Sequence, residues 1–403
     1  MLIKLAWRNI WRNKKRSLIT ISAIFIAVFL CVLLRALQLG LYDNMINNVV
    51  GSYSGYIQIH SKGFWDEQIV DNSFSADKDF LNEIESIDGV SNTLQRIQSG
   101  SLASSSDLSK FVFVTGIQPS KESSLTNWEK RLINGQLLKE ESKSLNIGKG
   151  VAKYFDLEIG DTLVLLGQGY HGMQAAGAYP VSGILDLKNP TLNKISVFMT
   201  LPQAQDFLSA QNMITHLILN KKENKDEDAI ALNVKNLIDN EVYEVMTWRE
   251  MIPELEQTIK ADSAGGLIMV FILYMIVSFG IFGTVLMMTQ ERKYEFGVLV
   301  SIGMKKIRLI KTMVYETILL ASVGAILGIA LSRPIIIFLG PIKFPEEQAQ
   351  MFENLGFEAV IPFMNTYDIP LTHGFIIFFI SLIICLYPLA VILKLDPIKA
   401  MKI

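Results

Sequence analysis

Histidine and cysteine number only four and two in this 403-residue chain, and none is spaced for metal ligation or a thiol nucleophile. The four histidines, His60, His171, His216 and His373, form no HxxxH pair that would set two imidazoles on one helix face. They read as surface or hydrogen-bonded histidines. Cys31 and Cys385 both fall inside apolar runs, which argues against a disulfide framework and a cysteine-based metal site. Ser104, Ser105 and Ser106 sit in a polar stretch without a nucleophile elbow, and no paired-carboxylate motif accompanies them. Gly148-Lys149-Gly150 lacks both the upstream glycine and the following Ser or Thr of a phosphate loop. These residues carry no catalytic constellation, no metal site and no ATPase, so no cofactor is expected on them.

The chemistry that does stand out is that of docking. ERKYEFGVLVSIGMKK, Glu291 to Lys306, lies between two long apolar runs. On a helix, Tyr294, Val298 and Ile302 fall on one line with Leu299 beside them, while Glu291, Arg292, Lys293 and Glu295 cluster at the start. Gly297 inside that helix costs about 1 kcal/mol relative to Ala. It therefore needs a reason: close backbone approach by a partner, or a kink where a span ends. Gly303 reads as the left-handed residue that ends the helix. A short helix with an apolar ridge ringed by charge suits a cytoplasmic partner; lying on lipid headgroups is the alternative.

The elements that must carry this segment are membrane spans. Half of the chain is hydrophobic, a balance that fits spans combined with a water-exposed domain. Four apolar runs meet the roughly 20 residues needed to cross a bilayer as a helix. We divide the chain into an interfacial helix (1–16), first span (17–40), outer domain (41–262), second span (263–289), docking segment (290–311), third span (312–339), outer loop (340–371), fourth span (372–394) and tail (395–403). The first apolar run continues through Leu34 without a small-residue cleavage site, so it reads as an uncleaved anchor. Residues 1–16, 290–311 and 394–403 hold fifteen basic side chains against three acidic ones; the whole chain is −2, leaving −14 elsewhere. By the positive-inside rule both ends and the docking segment are cytoplasmic.

In MLIKLAWRNIWRNKKR, Ile3, Ala6, Trp7, Ile10 and Trp11 share one helical face, and Lys4, Arg8, Arg12 and Lys15 another. That pattern suits a helix lying in the inner membrane interface. The outer domain shows strand patterns at 56–60, 111–116, 162–166, 179–185, 195–200 and 215–219, and helical ones near 77–86, 202–211, 226–239 and 249–261. It is a mixed α+β domain. The outer loop is acidic, with Glu346, Glu347, Glu353, Glu358 and Asp368. Gly324, Gly328 and Ser332 make a small-residue face in the third span, inviting close approach by an unspecified helix. Pro388 is expected to kink the fourth.

Four motifs in order now carry a resemblance over essentially the whole chain. LAWRNIWRNKKRS, the span arrangement, ERKYEFGVLVSIGMKKIRLIKTMVYETILL and the terminal PLAVILKLDPIKAMK together resemble the FtsX-like, MacB-type family of ABC transporter permeases. Within it, SGYIQIHSKGF, LEIGDTLVLL and YPVSGIL are similar to the lipoprotein-releasing, Lol-type permeases. The fold implied is an α-helical membrane protein of four transmembrane helices with a large α+β periplasmic domain, in the bacterial inner membrane. The activity implied is mechanotransmission, most concretely ATP-driven release of lipoproteins to a periplasmic carrier. MacB-like efflux and FtsX-like regulation of a cell-wall hydrolase are the alternatives.

The resemblance implies partners and roles as well. Two copies of a cytoplasmic ABC ATPase would carry ATP and Mg²⁺, and a second permease, identical or paralogous, would complete the assembly. Lipoprotein cargo, membrane lipids and a periplasmic chaperone would be further partners; no nucleic acid is expected. Glu291, Arg292, Tyr294, Glu295, Gly297, Val298, Leu299, Ile302 and Gly303 would form the coupling helix, with Arg292 and Glu295 fixing its orientation. Glu316 would pair with Arg308, Lys311 or Arg12. Gly169, Tyr170, His171, Gly172 and Met173 fall in the glycine- and alanine-rich segment Gly167 to Ala178, which would be a flexible hairpin touching the chaperone or else an ordinary loop. Leu34, Leu37, Leu41 and Met45 with Leu267, Phe271 and Met275 would line a path for acyl chains, and Arg35 would meet headgroups or a polar cargo group.

Overall fold

The computed structural model describes residues 2–12, 14–187, 189–222, 225–345 and 360–396. Asn13, the outer-loop acids Glu346, Glu347, Glu353 and Glu358, and the end of the terminal signature (397–403) lie outside the described residues. The chain forms two compact units. One comprises 1–43, 259–342 and 361–403; the other comprises 44–258 and 343–360.

The first unit is helical: α1 (Leu2–Arg12), α2 (Lys14–Ile46), α3 (Pro253–Glu291), α4 (Lys293–Ser301), α5 (Lys306–Leu339), α6 (Asp368–Ile384) and α7 (Leu386–Leu393). Among the described residues, four stretches are long and apolar enough to cross a membrane: Lys14–Gly51, Pro253–Glu291, Lys306–Leu339 and Asp368–Leu393. At 1.5 Å per residue, the 39 residues of α3 reach about 58 Å, well beyond a ~30 Å hydrocarbon core. Its first turns account for most of the helical pattern near 249–261. The small-residue face of α5 finds its partner in α2: a Cβ on Gly324 would lie 2.7 Å from Ile24, and one on Gly328 would lie 2.6 Å from Val28. Ile24 and Val28 are one turn apart, so the two glycines admit one ridge of α2. The fourth span breaks at Cys385, three residues before Pro388, whose missing N–H interrupts the backbone ladder there.

The second unit carries a ten-stranded sheet. Its strands are β1 (Ile57–Ser61), β2 (Val90–Ser105), β3 (Leu108–Ile117), β4 (Leu132–Gly135), β5 (Leu145–Gly148), β6 (Thr162–Gln168), β7 (Gln174–Leu185), β8 (Ser196–Thr200), β9 (His216–Lys221) and β10 (Tyr243–Thr247). They lie in the order β10-β1-β9-β2-β3-β8-β5-β7-β4, with β6 pairing both β2 and β7. The sixteen-residue β2 is the long member: its first half pairs β9 and its second half pairs β3 and, in part, β6. Ser104 and Ser105 end this strand, and only Ser106 (φ 51°) forms the turn into β3. Alternate strand residues such as Ile57, Ile59, Val112, Val114, Leu163 and Leu165 fill the core, as period-two burial requires.

Candidate functional site

The segment joining the second and third spans is built as a capped helix. α3 ends at Glu291, Arg292 leaves helical geometry (φ −91°, ψ 1°), and α4 runs from Lys293 to Ser301. Its end is a Schellman motif: Gly303 (φ 99°) donates to the Val300 carbonyl and Met304 to the Leu299 carbonyl, both at 3.0 Å. The left-handed backbone at Gly303 is what glycine permits there.

One side of α4 packs inward. Phe296 is fully buried among Leu309, Met313 and Ile392, and Gly297 beside it is buried too. Gly297 therefore faces the protein's own interior, not an outside partner as one reading of its spacing held. The other side is open: Tyr294 is 53% exposed, Leu299 37% and Ile302 80%, with Val298 half-buried between the two faces. The structure thus keeps three of the four ridge residues on an accessible apolar strip.

The charged residues differ from their expected roles. Arg292, expected to face a partner, is buried and donates to both carboxylate oxygens of Glu316, at 2.9 and 2.8 Å. Arg308, Lys311 and Arg12 are not the partners of Glu316. Arg12 instead meets Glu295 at 2.8 Å, and Arg16 pairs with Glu291. The reason is geometric: Arg292 sits in the break between α3 and α4, where its guanidinium can turn inward toward α5 and stack 5.5 Å from the Phe296 ring. A basic flank and an acid-bearing segment thereby become one cluster, tying α1 to α4 and α2 to the end of α3. Ala6 and Ile10 of α1 are buried, Ile10 beside Met288 and Leu320, while Trp7 and Trp11 stay about half exposed in an edge-to-face pair.

At the far end of the first span, Arg35 donates to Gln38 at 2.7 Å. Gln38 donates in turn to Tyr42 at 2.7 Å and to the Asp262 carbonyl at 3.1 Å, and Tyr42 donates to the Asp262 carboxylate at 2.6 Å. Gln38 also covers Gly266, where any Cβ would overlap it. Asp262, Gln38 and Tyr42 carried no motif; only the polarity of three side chains flanking apolar runs could have drawn notice. Among the proposed acyl-lining residues, Leu267, Phe271 and Met275 are exposed, and Leu34, Leu37 and Leu41 are half-buried. Met45 is 7% exposed and belongs to a core, so it does not fit a lining role.

The hairpin is shorter and firmer than expected. β6 and β7 pair in register to Gln168 and Gln174, leaving Gly169–Met173 as the turn. The turn is tied to the domain: Tyr170 N–H donates to the Leu208 carbonyl at 2.7 Å and His171 N–H to Asp71 at 2.5 Å. Gly169 lies so close to Leu208 that a Cβ would meet its carbonyl oxygen at 2.4 Å. A flexible loop is not what these five residues form, although His171, Gly172 and Met173 remain exposed. Elsewhere in the domain, His60 and His216 meet edge to face at 4.9 Å. Burial depresses both, His60 to about 4 despite its bond to the Thr215 carbonyl.

Comparison with known proteins agrees with this architecture. The family model of the MacB-like periplasmic core domain matches residues 17–237, and that of the FtsX-like permease C-terminal region matches residues 267–397. The macrolide export ATP-binding/permease protein MacB of Escherichia coli is 24% identical over 144 residues, covering 35% of this chain and 22% of that protein. The match thus spans about a fifth of that relative's own length. Among solved structures, the periplasmic region of MacB from Actinobacillus actinomycetemcomitans is similar at 13% identity and a TM-score of 0.37, covering 53% of this chain and 95% of that one. The extracellular domain of the noncanonic ABC-type transporter YknZ from Gram-positive bacteria is similar at 13% identity and a TM-score of 0.34, covering 48% of this chain and 100% of that one.

Proposed function

The chain belongs to the MacB-type, FtsX-like permease family, and from that membership we propose that it is the membrane subunit of an ATP-driven machine working by mechanotransmission in the bacterial inner membrane. The observation that carries this reading is the accessible strip of Tyr294, Leu299 and Ile302 on a helix fixed to the spans. An ABC ATPase in the cytoplasm, in two copies with its own ATP and Mg²⁺, accepts this strip in an apolar cleft. A second permease, identical or paralogous, completes the assembly. Because Arg292 and Glu316 join the break before α4 to α5, a push on α4 moves the third span directly. Work done on the cytoplasmic side thereby reaches the outer domain through α3 and α5.

The cargo we assign is an acylated lipoprotein, released from the membrane toward a periplasmic carrier. The exposed Leu267, Phe271 and Met275 of α3 support an apolar path, and the Arg35 cluster supports a polar headgroup region above it. Export of small molecules is a second reading, favoured by the match to a macrolide exporter. The test is to purify the tagged chain in mild detergent and identify what stays bound. An ATPase with acylated proteins supports lipoprotein release, and an ATPase with an outer-membrane duct protein supports export. A folded sample that retains no ATPase overturns the proposal.

A further inference from the structure

The outer domain carries a groove of about 370 Å³ that the docking mechanism leaves unused. Part of its lining is the outward face of the sheet, where the rings of Phe111 and Phe113 on β3 meet edge to face at 5.1 Å. Phe111 lies across β2 because Gly100 has no side chain there; a Cβ would come within 2.8 Å of the ring. The stretch Glu67–Asp71 supplies another part of the lining, with Ile69 between two carboxylates. Phe111 is 54% exposed and Ile69 46%, so the apolar surface of the groove is open to a ligand.

Charge selects among the ligands that such a surface would take. Glu67 and Asp71 line the groove, and among the described residues no lysine or arginine does. One neutral donor orients each carboxylate: Asn72 Nδ2 donates to Glu67 Oε2 at 2.9 Å, and the His171 N–H donates to Asp71 Oδ1 at 2.5 Å. Neither carboxylate meets a basic side chain among the described residues, so each keeps an oxygen for an incoming donor. Glu67 is exposed and Asp71 half-buried, and both are within reach of a bound molecule. A smaller cavity of about 130 Å³ adjoins, sharing Gln68, Ser99 and Phe113, and its guanidinium, Arg96, is already held by Glu122. The wider field agrees: residues 44–258 hold 28 acidic side chains against 18 basic ones, a balance that draws cations and repels anions. Carboxylates beside open aromatic rings attract an ammonium group twice, through their charge and through the negative faces of the rings.

We propose that this groove binds an amphiphilic cation. The ammonium group sits between Glu67 and Asp71, and the apolar body lies over Phe111, Phe113 and Ile69. The site is contained within the outer domain. It goes beyond the transport reading and stands whichever cargo the machine moves.

Titration calorimetry of the full chain in an uncharged detergent tests it with three probes that share one apolar body: phenylbutylamine, phenylbutanol and phenylbutyrate. The amine should bind about tenfold more tightly than the alcohol, with the acid weakest, since only the amine forms a charge-assisted bond. Added salt should weaken the amine alone. Asp71→Asn keeps an acceptor for the His171 N–H while removing the charge, and Glu67→Gln does the same beside Asn72. Together they should weaken the amine about tenfold and leave the alcohol unchanged. Glu67→Gln alone, at an exposed position, carries the charge test if Asp71→Asn loosens the turn. Phe111→Ser should weaken amine and alcohol alike, because it removes the shared apolar contact. Equal binding of amine and alcohol, amine binding unchanged by the charge variants, or no binding of any probe overturns the proposal. Preferred binding of the acid would overturn it too.

Discussion

Arg292 reaches across twenty-four positions of sequence to hold Glu316 by both carboxylate oxygens, with the two side chains 7% and 3% exposed. The pair fixes the break between α3 and α4 to the second turn-pair of α5. In this position a charge has few other partners: Glu295 lies 3.6 Å from Arg292, and Arg292 Nε has no hydrogen bond among the described residues. The bond is thus a mechanical link more than a source of stability, since desolvating both charges offsets most of their attraction.

Breaking one side should show that asymmetry. Arg292→Met leaves Glu316 buried and uncompensated, at a cost of about 3–5 kcal/mol. Arg292→Met with Glu316→Leu should recover most of the thermal stability of the purified chain, but not the coupling of ATP hydrolysis to cargo release. A double variant as unstable as Arg292→Met would mean that the pair stabilises the fold in its own right.

The exposed strip predicts a different outcome. Ile302→Asp, at a position 80% exposed, should leave the unfolding temperature within a degree or two while abolishing ATPase co-purification. Gly297→Trp is a poorer probe, because Gly297 is buried and an indole there would disturb the packing of α4 itself. Breaking Arg12–Glu295 should cost at most about 1 kcal/mol, as both side chains are roughly half exposed. Normal ATPase association by Ile302→Asp would remove the strip from the interface.

Much of this architecture was legible in the residues, and the gaps have physical causes. Long apolar runs and the basic flanks marked the spans, and Gly303 marked a helix end that is found as a Schellman motif. The long strand Val90–Ser105 went unread because its Ser, Asn and Gln residues lack the β-branched signal, and pairing with β3, β6 and β9 overrides that propensity. The direction of Arg292 was not readable either. A helical pattern places it beside Glu291 and Glu295, and only the backbone break turns it inward. The flexibility assigned to Gly169–Met173 came from glycine content, whereas distant Asp71 and Leu208 hold the turn.

Gly324 and Gly328 give a packing prediction. Gly328→Leu would drive a side chain into Val28, already 2.6 Å from where a Cβ would sit, and should cost about 1–3 kcal/mol through overpacking. Adding Val28→Ala should restore only part of the loss, because it removes the methyls at 2.7 and 3.2 Å but keeps the Cβ at 2.6 Å. Thermal unfolding of the four-member cycle reads the coupling, and strict additivity would place the two residues in separate environments.

The outer domain should lose stability on mild acidification, with the buried His60 and His216 as two causes. Burial lowers His60 from its ordinary value of 6.5 to about 4, so the folded state stays neutral while the unfolded chain takes up a proton. Its contribution is complete above pH 6.5 and is lost as pH falls from 6.5 toward 4, by on the order of 3 kcal/mol in all. His216, also depressed by burial, acts in the same direction. Glu227 does not share this window. Burial pushes its carboxyl up, but bonds from Lys221, the backbone and Trp248 outweigh that and hold it at about 2, so its contribution persists until pH falls below the ordinary 4.5. Hydrogen exchange of β1 and β9 amides in the full chain at pH 7, 6 and 5 measures the effect, after correction for the intrinsic rate. Protection should fall between pH 7 and 5 in the native chain. His60→Gln should start from lower protection and show a shallower slope. An unchanged slope in that variant would assign the acid sensitivity to other groups.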